Sequence, residues 1–188
     1  QRWGRFQRRG RWIRRRWPLG EMVVNIRRVL RHLFMPPWRV RLVFPARTLR
    51  AIETAIREAE TTHAGEIRFA VESGLPFFPL LRGQSARERA LEVFSQLRVW
   101  DTQMNNGVLI YLLLADQDVE IVADRDAHAR VGTEGWEKIC REMEALFRQG
   151  KFEEGVLHGI RAVSIHLARH YPPQKQDSNE LDDRPVVF

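Results

Sequence analysis

Apolar residues recur along this chain in two distinct periods. Over residues 22–34, Val23, Ile26, Leu30, Leu33 and Phe34 fall at i, i+3, i+7, i+10 and i+11, with Arg27, Arg28, Arg31 and His32 between them. This is the stripe of a basic amphipathic helix. Pro36 and Pro37 should end it, because proline lacks a backbone N–H and disfavours helix in the residue before it. The chain from there to Pro45 reads as a Pro-rich connector. The apolar stripe suits a helix on the domain's own core, a helix lying flat on anionic lipid, or one docked on a partner. After Pro45, Leu49, Ile52, Ile56 and Ala59 predict a second helix that stops near His63-Ala64-Gly65, with the glycine left-handed.

At residue 66 the period changes. Ile67, Phe69 and Val71 alternate with Arg68 and Ala70, which predicts a strand with one more apolar face. Residues 73–83 read as a loop carrying an exposed pair, Phe77 and Phe78. Ser85 and Glu88 have capping-box spacing, and Leu91, Phe94 and Leu97 continue the helix they open to near Trp100. Residues 101–106 are polar turn material, and residues 108–114 are a continuous apolar run suited to a buried central strand. Asp116 to Asp118 is too tight a connection to join anything but antiparallel neighbours, so 119–123 should return beside the central strand. Residues 124–132 read as a charged loop. Trp136, Ile139, Cys140, Met143, Leu146 and Phe147 then share a helix face closed by Gly150, and Phe152, Val156, Ile160, Val163 and Leu167 mark a last helix. From residue 172 the composition turns to Gln, Asp, Asn and Pro, which predicts a flexible polar tail over 172–188.

The alternation of helix and strand makes the fold class α/β, and a right-handed helical crossover makes the first two strands parallel. A chain of 188 residues with 44% hydrophobic and 29% charged positions builds one core. Its longest apolar run, eight residues from Val108, is far short of the roughly 20 that cross a bilayer as a helix. The net charge is +7, and residues 1–21 hold eight arginines against one acid, so the remainder is neutral. Nucleic-acid binding by the folded part is therefore disfavoured. Residues 1–21, rich in Arg and Trp, read as a basic leader foreign to the native protein, with Met22 as the start; the functional rival is an arm that contacts phosphates or an anionic membrane. That leader lacks the apolar stretch of an export signal, so a cytoplasmic location is expected, peripheral at the inner face of the membrane. The single Cys140 pairs with no second cysteine and reads as core.

Four segments taken together resemble the TPM domain family: THAGEIRFAV after a helix, NNGVLIYLLL as the central strand, VEIVADR as the return strand, and W..I...M...F..G.F..G over the last two helices. The resemblance spans about residues 49–170, within a domain bounded at 46–171 and preceded by the helix and connector of 22–45. It implies an α/β/α sandwich with a small mixed sheet of three to four strands flanked by about four helices. It also implies divalent-metal binding, a weak acid phosphatase activity, and a LemA-like membrane protein as partner. Many relatives carry an export signal and a membrane anchor, from which this sequence departs.

The strand order predicted above gathers His63, Glu66, Asp101, Asn105, Asn106, Asp124, Arg125, Asp126 and His128 at one sheet edge, and Ser73, Asp116 and Asp118 at the other. Carboxylate, amide and main-chain oxygens suit Ca²⁺ or Mg²⁺. Asp101 and Asp124 are the expected ligands, with Asn105 and Asn106 shaping the loop or giving carbonyl oxygens and Asp126 beside them. Family matching carries over Asn105, Asn106, Gly107 and Asp124. The same residues also fit a plain turn and a solvated loop. Gly132-Thr133-Glu134-Gly135 lacks a P-loop's lysine, and no organic cofactor is expected. The leading function is an accessory or assembly module that docks on a membrane-protein partner through Ile26, Leu30, Leu33, Phe34, Phe77 and Phe78. A metal-dependent phosphatase, with Arg125 balancing charge, is the alternative.

Overall fold

In the computed structural model, which describes residues 26–173 and 179–188, two neighbouring strands are buried along their whole length. They are β1 (Ile67–Glu72) and β2 (Val108–Leu113). β3 (Asp118–Ala123) and β4 (Val186–Val187) complete a sheet in the order β3-β2-β1-β4. β1 and β2 are parallel from Ile67 opposite Val108 to Glu72 opposite Leu113, and β2 and β3 are antiparallel from Val108 opposite Ala123. Seven helices occur among the described residues: α1 (Ile26–Leu33), α2 (Trp38–Val43), α3 (Ala46–Glu60), α4 (Phe77–Leu81), α5 (Ala86–Gln96), α6 (Arg125–Phe147) and α7 (Phe152–His170). The leader at 1–21 and the first turn of the helix expected from Met22 lie outside the described residues.

Alternation along the strands sends side chains into two separate cores. Ile67, Phe69, Val71, Val108, Ile110, Leu112 and Ile121 pack under α3, α6 and α7, against Ile52, Ile56, Ile139, Met143, Phe147, Ile160 and Leu167. Ala70, Leu109, Tyr111, Leu113 and Val122 pack on the other side, against Leu80, Ala86, Ala90 and Val93 of α4 and α5. Each large side chain so buried contributes roughly 1.5–3 kcal/mol, which makes the sheet stable only as the middle of an α/β/α sandwich. Glu72 is buried in the second core, yet its carboxylate accepts from the Tyr111 hydroxyl (2.8 Å) and from Arg89 on α5 (2.8 and 3.2 Å). That bidentate pair fixes α5 on the sheet.

The elements differ from the sequence reading in five places. The connector before Pro45 contains α2, with Pro37 at its N-cap and Val40 and Phe44 buried; proline fits there because a helix's first N–H groups have no intrahelical acceptor. The same reasoning explains α4 in the expected loop, where Pro76 precedes the helix and Pro79 sits in its first turn. Gly65 does not close α3 in a left-handed conformation; among the described residues the left-handed glycines are Gly83, Gly132 and Gly150. Gly65 instead leaves room for Leu167, whose methyl carbons lie 3.0 Å from where a Cβ would stand. The expected charged loop after Asp124 is the first part of α6, kinked at Gly132 (φ 77°, ψ 163°). Residues 179–188, expected within the flexible tail, return to the sheet: Val186 and Val187 pair with Ala70 and Val71, and the Phe188 N–H donates to Val71 O (3.0 Å).

Candidate functional site

The starts of β1 and β2 and the end of β3 meet at one sheet edge, as the registers Ile67 to Val108 and Val108 to Ala123 require. The loop that enters β2 is built on its own polar side chains. The Asn106 N–H donates to Thr102 Oγ1 (3.1 Å), and Asn106 Nδ2 donates to the Ala64 carbonyl (2.6 Å), with Asn106 only 1% exposed. Asn105 is exposed and left-handed (φ 51°), a conformation asparagine tolerates better than most residues. Its carbonyl accepts from the Ala127 N–H (3.4 Å), and the Gly107 carbonyl accepts from the Asp124 N–H (2.8 Å). Gly107 is obligatory here, since a Cβ would stand 2.0 Å from the Val99 carbonyl oxygen.

Asp124 caps α6, its Oδ1 accepting from the Arg125 N–H (2.6 Å). Its other oxygen, Oδ2, is buried with no hydrogen-bond partner. An unpaired buried carboxylate oxygen is costly, and a cation or a water is what ordinarily relieves one. Asp126 is placed differently: its Oδ2 accepts from the Tyr171 hydroxyl (2.6 Å) and from Arg130 (2.7 Å), and these bonds lower its pKa. Asp101 is exposed on the loop after α5. Among the described residues no three His, Cys, Asp or Glu side chains cluster as an ion site. An ion held here would therefore draw on Asp124 Oδ2 with amide and main-chain oxygens of the 105–107 turn. Nearby His63 is buried, accepts from the Gly65 N–H (3.2 Å) and has its pKa pushed down to about 4 by desolvation, so its ring is neutral at pH 7.

A second polar cluster lies at the opposite sheet edge, where strand order had put Asp116, but its partners on α1 were not foreseen. Asp116 accepts from Arg28 Nε (2.8 Å) and faces His32 Nε2 (3.1 Å), while His32 Nδ1 accepts from the Leu75 N–H (2.9 Å). His32 is buried in this cluster, and Val29 packs on the second core, so α1 is held by one face. Its other face is open: Ile26 is 69%, Leu33 57% and Phe34 77% exposed. α1 packs against α4, where Phe77 and Phe78 are also exposed, Phe78 by 73%, with ring centroids 5.7 Å apart. Of the six apolar residues expected to contact a partner, five are on two touching helices and Phe34 directly follows α1. No helix of the described residues is long and apolar enough to cross a membrane. Cys140 is half-buried and its thiol is pushed up to about 12 by desolvation, so it carries no nucleophile at neutral pH.

The strand junctions, the asparagine turn and the paired C-terminal helices coincide with one family description, that of the TPM domain, which matches residues 42–165. The chain belongs to the TPM domain family. The TPM fold is shared with the NMR structure of BA42 protein from the psychrophilic bacterium Bizionia argentinensis sp. nov., at 31% identity and a TM-score of 0.68, over 76% of this chain and 94% of that one. The N-terminal domain of a protein from P. gingivalis has the same fold at 17% identity and a TM-score of 0.55, over 74% of this chain and 94% of that one. Among curated proteins none matches the chain.

Proposed function

We propose that this TPM domain is a non-catalytic accessory module that docks at a membrane through the outer face of α1 and α4. One observation carries the reading: two helices some 45 residues apart in sequence pack together and leave Ile26, Leu30, Leu33, Phe34, Phe77 and Phe78 uncovered. Large apolar side chains gathered on one rigid surface are the usual mark of an interaction site. The test uses native membranes and the full chain. Leu30→Glu and Phe78→Glu should release the protein into the soluble fraction without unfolding it, because both side chains already face solvent. Membrane association equal to wild type in both variants would refute the docking face.

A second reading is favoured by the unpartnered Asp124 Oδ2. Asp124, with oxygens of Asn105 and Asn106, would hold one Ca²⁺ or Mg²⁺, and the ion would tie the β3–α6 junction to the loop entering β2. Calorimetric titration should give saturable binding for wild type and none for Asp124→Ala. Equal affinity in the variant would place the ion elsewhere and refute the assignment.

A further inference from the structure

The docking face can be assigned a surface chemistry. We propose that what α1 and α4 meet is the headgroup layer of an anionic bilayer itself, a proposal that rests on the docking reading above. Between Met22 and Ile52 the sequence contains seven arginines and no acid, and α4 is followed by Arg82; of these, Arg28 and Arg31 lie against Asp116, at 2.8 and 3.9 Å. Arg27 and Arg31 on α1 and Arg82 at the end of α4 are exposed, beside the exposed apolar residues of the same helices. Arginines flanking an apolar and aromatic face are the pattern of a helix lying in the membrane interface, its side chains inserted to the acyl boundary and its cations among the phosphates. A protein partner would need carboxylates matched to this array and pockets for two adjacent phenylalanines; a bilayer needs neither.

The anchoring of α1 supports the same occupant. Arg28 and His32 hold the helix to Asp116 and to the Leu75 N–H, so the outer face is presented as a fixed platform rather than ordered on contact. The sequence preceding α1 adds eight arginines and three tryptophans within residues 1–21.

The experiment is flotation of the full chain with protein-free vesicles of phosphatidylcholine, with and without phosphatidylglycerol, at low and high salt, beside native membranes. Binding is expected to anionic vesicles only and to weaken with salt. Leu30→Ser with Phe78→Ser, which removes no charge, should weaken it about tenfold or more, since buried methylenes and an aromatic ring are lost. Unchanged melting of the double variant confirms that the fold is retained. Equal binding to neutral vesicles overturns the anionic assignment. Anionic binding unaffected by the double variant shows contact by charge alone, as nucleic acid would also give, and overturns the role of the face. Binding to native membranes but not to anionic vesicles overturns the lipid while leaving the docking face standing; binding to neither overturns both.

Discussion

Replacing Asn106 isolates one hydrogen bond that joins the loop before β2 to the chain before β1. Asn106 is 1% exposed, and its Nδ2 donates to the Ala64 carbonyl at 2.6 Å in a buried setting. Asn106→Ala removes the donor, leaves that acceptor unpaired, and opens a small void. An orphaned buried carbonyl costs about 1–3 kcal/mol, so a loss of about 2 kcal/mol is expected. For a domain of this size, about 2 kcal/mol lowers the melting temperature by roughly 4–8 °C. Asn106→Asp is the sharper perturbation, because at pH 7 it sets a carboxylate oxygen against a carbonyl oxygen with no proton between them. It should be the less stable of the two at pH 7, and should recover toward wild type near pH 4, where the protonated acid again donates. Urea denaturation in chelator across that pH range is the assay. If the aspartate variant matches or exceeds the alanine variant at pH 7, the hydrogen bond is not what Asn106 contributes. Stability of Asn106→Ala equal to wild type would refute the argument outright.

Three further perturbations test other junctions. Glu60 is held by the Ile67 N–H (2.8 Å), and burial beside Glu66 and Asp183 pushes its pKa up to about 9. Its ionisation therefore opposes folding, so the stability it contributes is full below about pH 4.5 and is lost as pH rises toward 9. Glu60→Gln, which keeps the acceptor, should gain melting temperature over wild type steadily from pH 5 to pH 8, and a difference that stays flat with pH would contradict the shift. Gly107→Ala forces a methyl to within 2.0 Å of the Val99 carbonyl oxygen and should cost about 3 kcal/mol or more, read as a lowered urea midpoint; a midpoint near wild type would mean that the loop yields freely. Ser85→Ala removes one half of the capping box, in which Ser85 Oγ accepts from the Glu88 N–H (3.1 Å) and Glu88 accepts from the Ser85 N–H (2.8 Å). It should cost about 1 kcal/mol by thermal melting, and no loss would show that α5 is held by packing alone.

What the sequence made legible were the features encoded by neighbours along the chain. The S-x-x-E spacing placed α5, the tight Asp116 turn forced the antiparallel return of β3, and the helical crossover made β1 and β2 parallel. What it hid depends on partners far away. α4 is five residues with a proline inside, held by packing against α1 rather than by propensity. β4 is two residues, and its pairing with Ala70 and Val71 closes over more than a hundred residues. The first turn of α6 has no apolar period; it rests on the Asp124 cap and on Asp126 with Tyr171 and Arg130. Asn105, Asn106 and Asp124 were legible as a group, because strand order alone gathers them. That Asn106 spends its side-chain amide on the Ala64 carbonyl was not, since nothing local records a bond spanning 42 residues.

The brevity of β4 bears on how the chain behaves while it is being made and when it is concentrated. Residues 42–165, the whole family match, emerge from the ribosome before residues 186–188 do, so β1 must wait beside β2 with its outer N–H and C=O groups unsealed. A fully apolar neighbour and an open edge are the conditions under which one nascent chain templates another. The seal, once made, is two ladder pairs and the Phe188 N–H bond to Val71 O, backed by Glu66, which accepts from the Glu180 and Leu181 N–H groups, and by Leu181 and Phe188 packed on the second core.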